Sequence, residues 1–132
     1  ETDHSLTREL VEELPYTYLH VFPYSVREGT GAADLSDRVP VHVAAERSRD
    51  LREIGVSKGS AHAAGRVGTE ALVAVETETG GLTGDYLRVS VAGPAVPGTL
   101  ARARLSGAPS DLRIAAGATG RSALPVLAAA TD

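Results

Sequence analysis

The side chains best suited to chemistry fall in two places. The first is Tyr18-Leu19-His20-Val21-Phe22-Pro23-Tyr24-Ser25-Val26-Arg27, where an imidazole, phenols, a hydroxyl and a guanidinium crowd together. An imidazole exchanges a proton near neutral pH, and a guanidinium can hold a carboxylate or phosphate through two parallel hydrogen bonds. His20 therefore either contacts a substrate or satisfies a buried hydrogen bond. Arg27 either anchors an anion or pairs with Glu28 or Asp34. The second place is Tyr86 with Arg88 two residues on, a π-face beside a cation that can stack a base and hold a phosphate. Its competing reading is a half-buried tyrosine and a surface arginine. Arg66, Arg102 and Arg104 would extend the patch, offset by Glu70, Glu76, Glu78 and Asp85.

Other chemistries are excluded by composition. With no Cys in 132 residues there is no disulfide, thiolate zinc site, thiol nucleophile or cysteine-held iron–sulfur cluster. His4, His42 and His62 show no ligand spacing, so no metal site is assigned. Gly29-Thr30-Gly31 lacks the strand and helix that a phosphate-binding loop requires. No Ser/His/Asp grouping is present, and no residue is assigned a catalytic role. Thirteen basic against seventeen acidic residues give a formal charge of −4. Neither half is basic enough to bind nucleic acid by charge alone, and no DNA partner is expected. No apolar run approaches the ~20 residues of a membrane span, so a soluble chain with no membrane partner is expected. The chain opens Glu1-Thr2-Asp3 without Met or a leader, which reads as a piece of a longer polypeptide.

The elements that must position these residues differ between the halves. Thr2 or Ser5 can cap a helix whose stripe is Leu6, Leu10, Val11 and Leu14, stopped by Pro15. Tyr16 to Phe22 is aromatic and β-branched and reads as a buried strand. In that register Leu19 and Val21 face a covering helix, while Tyr18, His20 and Phe22 face a lumen or cleft. The loop after it, with Tyr24, Ser25 and Arg27, then sits at the strand's carboxyl end, the catalytic edge of α/β folds. A second helix starts near Pro40, carries Val43, Arg47, Leu51 and Ile54 on its inner stripe, and weakens at Gly55 and Gly59. After Gly65 short alternating strands take over. Glu70–Thr77, Tyr86–Val91, Thr99–Leu105 and Asp111–Ala115 suggest a small antiparallel barrel of roughly fifty residues.

Several of these segments resemble radical S-adenosylmethionine (SAM) methylthiotransferases. The resemblance lies in Tyr18-Leu19-His20-Val21-Phe22-Pro23-Tyr24-Ser25, then Arg27-Glu28-Gly29-Thr30. Glu1-Thr2-Asp3 is similar to the end of the family's GFPGET segment. Val39-Pro40 and Glu46-Arg47-Ser48 through Leu51-Arg52-Glu53 resemble the helix that ends the radical-SAM barrel. Gly81-Leu82-Thr83-Gly84-Asp85-Tyr86-Leu87-Arg88-Val89 looks like the signature of the small RNA-binding TRAM barrel. The branch most resembled acts on N6-threonylcarbamoyladenosine in tRNA. The chain departs from the family's usual pattern at Val26 and Gly31, where Pro is common, and at Asp85, where Asn is usual.

The resemblance implies an α/β piece followed by an all-β domain. Residues 1–62 would end a radical-SAM partial TIM-type barrel, 63–116 would form the TRAM β-barrel, and 117–132 a disordered tail. It implies an enzyme that uses SAM and two 4Fe-4S clusters to place a methylthio group on the modified adenine, none of these groups being ligated by this segment. It implies the tRNA anticodon arm and the upstream domains of the same polypeptide as partners, and a cytoplasmic location. His20, Tyr24, Ser25 and Arg27 would bind substrate, with Arg27 on the threonylcarbamoyl carboxylate. Glu1 would lie near SAM; Arg66, Tyr86 and Arg88 would bind RNA. The alternatives are a stand-alone TRAM-type RNA-binding module without catalysis, and the isopentenyladenosine or ribosomal-protein branch.

Overall fold

The computed structural model describes residues 2–115 and divides the chain into two compact units, at His62 and Ala63. The expectations for Glu1 and for the 117–132 tail lie outside the described residues.

The first unit holds helix α1 (Thr2–Glu13), an irregular stretch containing a short 3-10 turn (Gly31–Asp34), and most of helix α2 (Val41–Arg66). Helix α1 ends before Pro15, as the sequence predicts, but turns a different face inward. Leu6 and Leu10 are 58% and 53% exposed, whereas His4 and Arg8 reach Asp50 of α2. His4 Nε2 lies 3.1 Å from Asp50 Oδ2, and Arg8 Nε donates to Oδ1 at 3.3 Å. Asp50, which is not on the stripe of Val43, Arg47, Leu51 and Ile54 expected to face inward, is thus the polar anchor between the two helices.

The expected strand over 17–22 does not form. A strand needs a neighbour for its amides and carbonyls, and none lies beside it among the described residues. Its alternation nevertheless holds. Leu19 and Val21 are half-buried, and Tyr18, His20 and Phe22 are exposed. Helix α2 also runs through the glycines expected to weaken it. A Cβ on Gly55 would stand 3.2 Å from Leu19 Cβ, and one on Gly59 3.2 Å from the Thr17 carbonyl oxygen. The two glycines therefore admit the extended segment against the helix. Arg52 Nη2 also donates to the Val21 carbonyl at 3.0 Å.

The second unit is a six-stranded sheet: β1 (Glu70–Thr77), β2 (Gly80–Thr83), β3 (Arg88–Ala92), β4 (Leu100–Arg104), β5 (Ser106–Ala108) and β6 (Asp111–Ala115). The order is β4-β1-β2-β3-β6-β5, antiparallel except for the parallel pair β3 and β6. Strands β4 and β5 are opposite edges of this sheet, yet only Leu105 separates them in sequence. The sheet must therefore curl until its edges meet at that residue. Leu105 is 1% exposed, its N–H donates to the Thr69 carbonyl and its carbonyl accepts from Gly68, both at 2.8 Å. Alternate residues turn inward. Val73, Val75, Val89, Val91, Leu112 and Ile114 fill the core with small alanines between them, the volume a narrow barrel can hold. The short strands β2 and β5 were not separable from turns in the sequence.

Candidate functional site: a substrate loop and a nucleic-acid face

Chain direction places His20 in a row of rings. Residues 18, 20 and 22 alternate to one side of an extended backbone. The Tyr18 and His20 rings meet edge-on with centroids 4.6 Å apart, and His20 and Phe22 stack 5.9 Å apart with planes 6° off parallel. The row is open, with Tyr18 66% and Phe22 80% exposed. Neither nitrogen of His20 has a hydrogen bond among the described residues, which removes the reading of a buried, satisfied histidine.

Beyond Pro23 the loop carries Tyr24, Ser25 and Arg27, all exposed. Gly29, at φ +77°, permits the bend that follows. Thr30 Oγ1 donates to the Arg27 carbonyl at 2.8 Å and pins the turn. Arg27's guanidinium makes no hydrogen bond or ion pair among the described residues, so the expected alternative of pairing with Glu28 or Asp34 is not realised. Tyr24 also borders a cavity of about 910 Å³ with Arg38, Arg49 and Arg52. Sequence reasoning missed this cavity. The available signal was the helical spacing of Ala44, Ala45, Ser48, Arg49 and Arg52.

In the second unit the structure gathers Arg66, Asp85 and Tyr86, and leaves Arg88 apart from that ion pair. Arg66 Nε donates to Asp85 Oδ2 at 2.8 Å and Nη2 to Oδ1 at 3.5 Å, while Nη1 donates to Thr69 Oγ1 at 2.7 Å. Its fork is thus engaged within the protein. Tyr86 lies in the turn before β3, not on the strand as its alternation suggested. Its φ is +65°, which is rare for a bulky residue, and it is 78% exposed. The turn is held from below. The Leu87 N–H donates to Thr83 Oγ1 at 2.9 Å, and the Tyr86 N–H to the Thr83 carbonyl at 3.0 Å. Arg88 is open, its Nη1 3.9 Å from Glu76 Oε2. Arg102 and Arg104 project from β4, and Arg104 Nη1 donates to the Gly68 carbonyl. Asp111 is held below the ordinary carboxylate range, chiefly by the hydrogen bond from Arg113.

The chain has no thiolate to hold an iron–sulfur cluster, and no group of three His, Asp or Glu side chains converges on a metal position among the described residues. No helix among them is long and apolar enough to cross a membrane.

Comparison with known proteins settles what the chain is related to. Over 77% of its length it is 32% identical to the threonylcarbamoyladenosine tRNA methylthiotransferase MtaB of Aquifex aeolicus. The chain is a relative of the tRNA methylthiotransferases. MtaB of Rickettsia prowazekii is 33% identical over 76% of the chain. A tRNA-2-methylthio-N(6)-dimethylallyladenosine synthase of Opitutus terrae is 44% identical over 41% of it. The chain spans about a quarter of the two MtaB methylthiotransferases. No protein-family model matches it.

Proposed function

We propose that this chain is the C-terminal part of a tRNA methylthiotransferase that converts N6-threonylcarbamoyladenosine beside the anticodon into its 2-methylthio derivative. The observation that carries the reading is the match of three quarters of the chain to two threonylcarbamoyladenosine tRNA methylthiotransferases. Such an enzyme would use SAM and two 4Fe-4S clusters. The cysteine ligands those clusters require are not among these 132 residues, and no step is assigned here to a cluster-binding group. The protein would act in the cytoplasm.

The role left to this chain is recognition. His20 and its neighbouring rings offer an open stack for a purine, and Tyr24 and Ser25 line the path that follows. Arg27, a free fork on a pinned turn, would read the threonylcarbamoyl carboxylate bidentately. On the second unit, residues 63–115, Tyr86 would stack a base of the anticodon arm and Arg88 would hold a phosphate. Arg66 would act there by holding the turn. Residues 63–116 would be the TRAM-like RNA-binding domain, and residues 1–62 the end of the catalytic barrel.

Filter binding with an anticodon-arm RNA tests the RNA role. The double replacement Tyr86→Ala and Arg88→Ala should weaken binding by about tenfold or more, since a stacked base and a phosphate contact are both removed. Unchanged binding would sink it. The dimethylallyladenosine branch is kept as a second reading by the 44% identity over a shorter stretch. Its product differs by mass.

A further inference from the structure

The cavity beside Tyr24 has the build of a binding site distinct from the Arg27 turn. It occupies about 910 Å³ between the loop and the first three turns of α2, within the range that holds a compact organic ligand. Its helical wall is Ala44, Ala45, Ser48, Arg49 and Arg52, five positions on one face. The three small side chains deepen it. The facing loop contributes the Tyr24 ring with Leu35 and Val39, so the lining is mainly apolar.

Two observations point to what fills it. Ser48 is only 7% exposed and lines the cavity, yet its hydroxyl has no hydrogen bond among the described residues. The hydroxyl opens onto the cavity and stands ready to donate to a polar group there. The charge is also lopsided. Arg38, Arg49 and Arg52 line the cavity against the single carboxylate of Asp37, in a chain whose formal charge is −4. Arg38 and Arg52 each use Nη2 on a backbone carbonyl, of Ala33 at 2.6 Å and of Val21 at 3.0 Å, which fixes both guanidiniums and leaves their other donors available. Arg49 makes no hydrogen bond or ion pair among the described residues.

We infer that this cavity binds a nucleotide. The phosphate lies on Arg49 and Arg52 and accepts the Ser48 hydroxyl proton in a hydrogen bond. The base and ribose lie against Tyr24, Leu35 and Val39. Guanidinium forks match phosphate oxygens, and an aromatic ring beside aliphatic side chains matches a purine face. The nucleotide is either free or one residue of an RNA strand, and its chemistry at the cavity is the same. The inference shares Tyr24 with the threonylcarbamoyl reading but uses neither Arg27 nor His20, so Arg49→Gln tests it without touching those two residues.

The test is titration of the 15N-labelled chain with adenosine 5′-monophosphate, adenosine and inorganic phosphate, reading the amides from Ala44 to Arg52. Adenosine monophosphate should move them, and adenosine and phosphate should each bind about tenfold more weakly, because each lacks one half of the contacts. Arg49→Gln should weaken the nucleotide about tenfold. Ala45→Leu, which fills the wall at an exposed helical position without changing charge, should abolish binding while leaving the helix intact. A five-nucleotide RNA identifies the source. Binding about tenfold tighter than the mononucleotide marks a strand, and equal or weaker binding marks a free nucleotide. Unmoved amides with adenosine monophosphate overturn the inference. So does inorganic phosphate binding as tightly as the nucleotide with Ala45→Leu without effect, which would be attraction by charge alone.

Discussion

Arg66 grips Asp85 with two nitrogens of its fork, Nε at 2.8 Å and Nη2 at 3.5 Å, and so ties the last turn of α2 to the residue preceding Tyr86. Both side chains are about one quarter to one third exposed, which keeps the pair partly shielded from solvent. Replacing Asp85 with Ala leaves Arg66 with Thr69 and the Glu70 carbonyl. The expected loss is about 1 kcal/mol of unfolding free energy, discounted for partial exposure and read by urea titration. Anticodon-arm affinity should fall with it as the Tyr86 turn loosens.

Tyr86 gives a sharper test, because stability and binding should move in opposite directions. Holding a tyrosine at φ +65° costs about 1 kcal/mol relative to glycine. Tyr86→Gly should therefore unfold at higher urea concentration. If Tyr86 stacks on RNA, the same change removes about 1–3 kcal/mol of binding. A variant that is both less stable and unchanged in RNA affinity would contradict the role.

Leu105 should be the most sensitive aliphatic position in the sheet. It is 1% exposed, and its backbone joins the two sheet edges to the Gly68–Thr69 lead into β1. Leu105→Ala should destabilise the second unit by about 3 kcal/mol, measured by chemical denaturation.

Asp111 sets a pH expectation. Its carboxyl titrates below the ordinary value in the folded chain, first because of the hydrogen bond from Arg113. A depressed folded-state value means the stabilisation is present above the unfolded carboxylate range near about 4 and is lost as pH falls through the folded value. Carboxyl chemical shifts should show Asp111 titrating below the ordinary aspartate range. Arg113→Gln should return it to the ordinary range.

Arg27→Lys in the full enzyme should raise the KM for threonylcarbamoylated tRNA by about tenfold, since an ammonium cannot reproduce the two parallel bonds of a guanidinium. Unchanged kinetics would remove Arg27 from substrate recognition.

Much of this was legible in the sequence, for reasons that differ between the units. Glu70–Thr77 and Asp111–Ala115 were read at their observed bounds because burial alternates there residue by residue. Around Leu19 and Val21 the same alternation gave the correct faces but the wrong element, since side-chain period does not supply a pairing partner. Gly55 and Gly59 misled for the opposite reason. Glycine weakens an isolated helix, but here the missing side chains admit Leu19 and Thr17. Tyr86 looked like a strand residue because its neighbours alternate, and its positive φ has no signature in residue type. The cavity at Ser48 and Arg49 was hidden because a face of small and charged side chains does not stand out as an apolar stripe.

The measurement that bears most directly on the account is mass spectrometry of nucleosides from tRNA of cells lacking the gene that encodes this chain. The account predicts that 2-methylthio-N6-threonylcarbamoyladenosine disappears, that its unthiolated precursor accumulates, and that the dimethylallyl derivative is unaffected. Unchanged 2-methylthio-N6-threonylcarbamoyladenosine would contradict it.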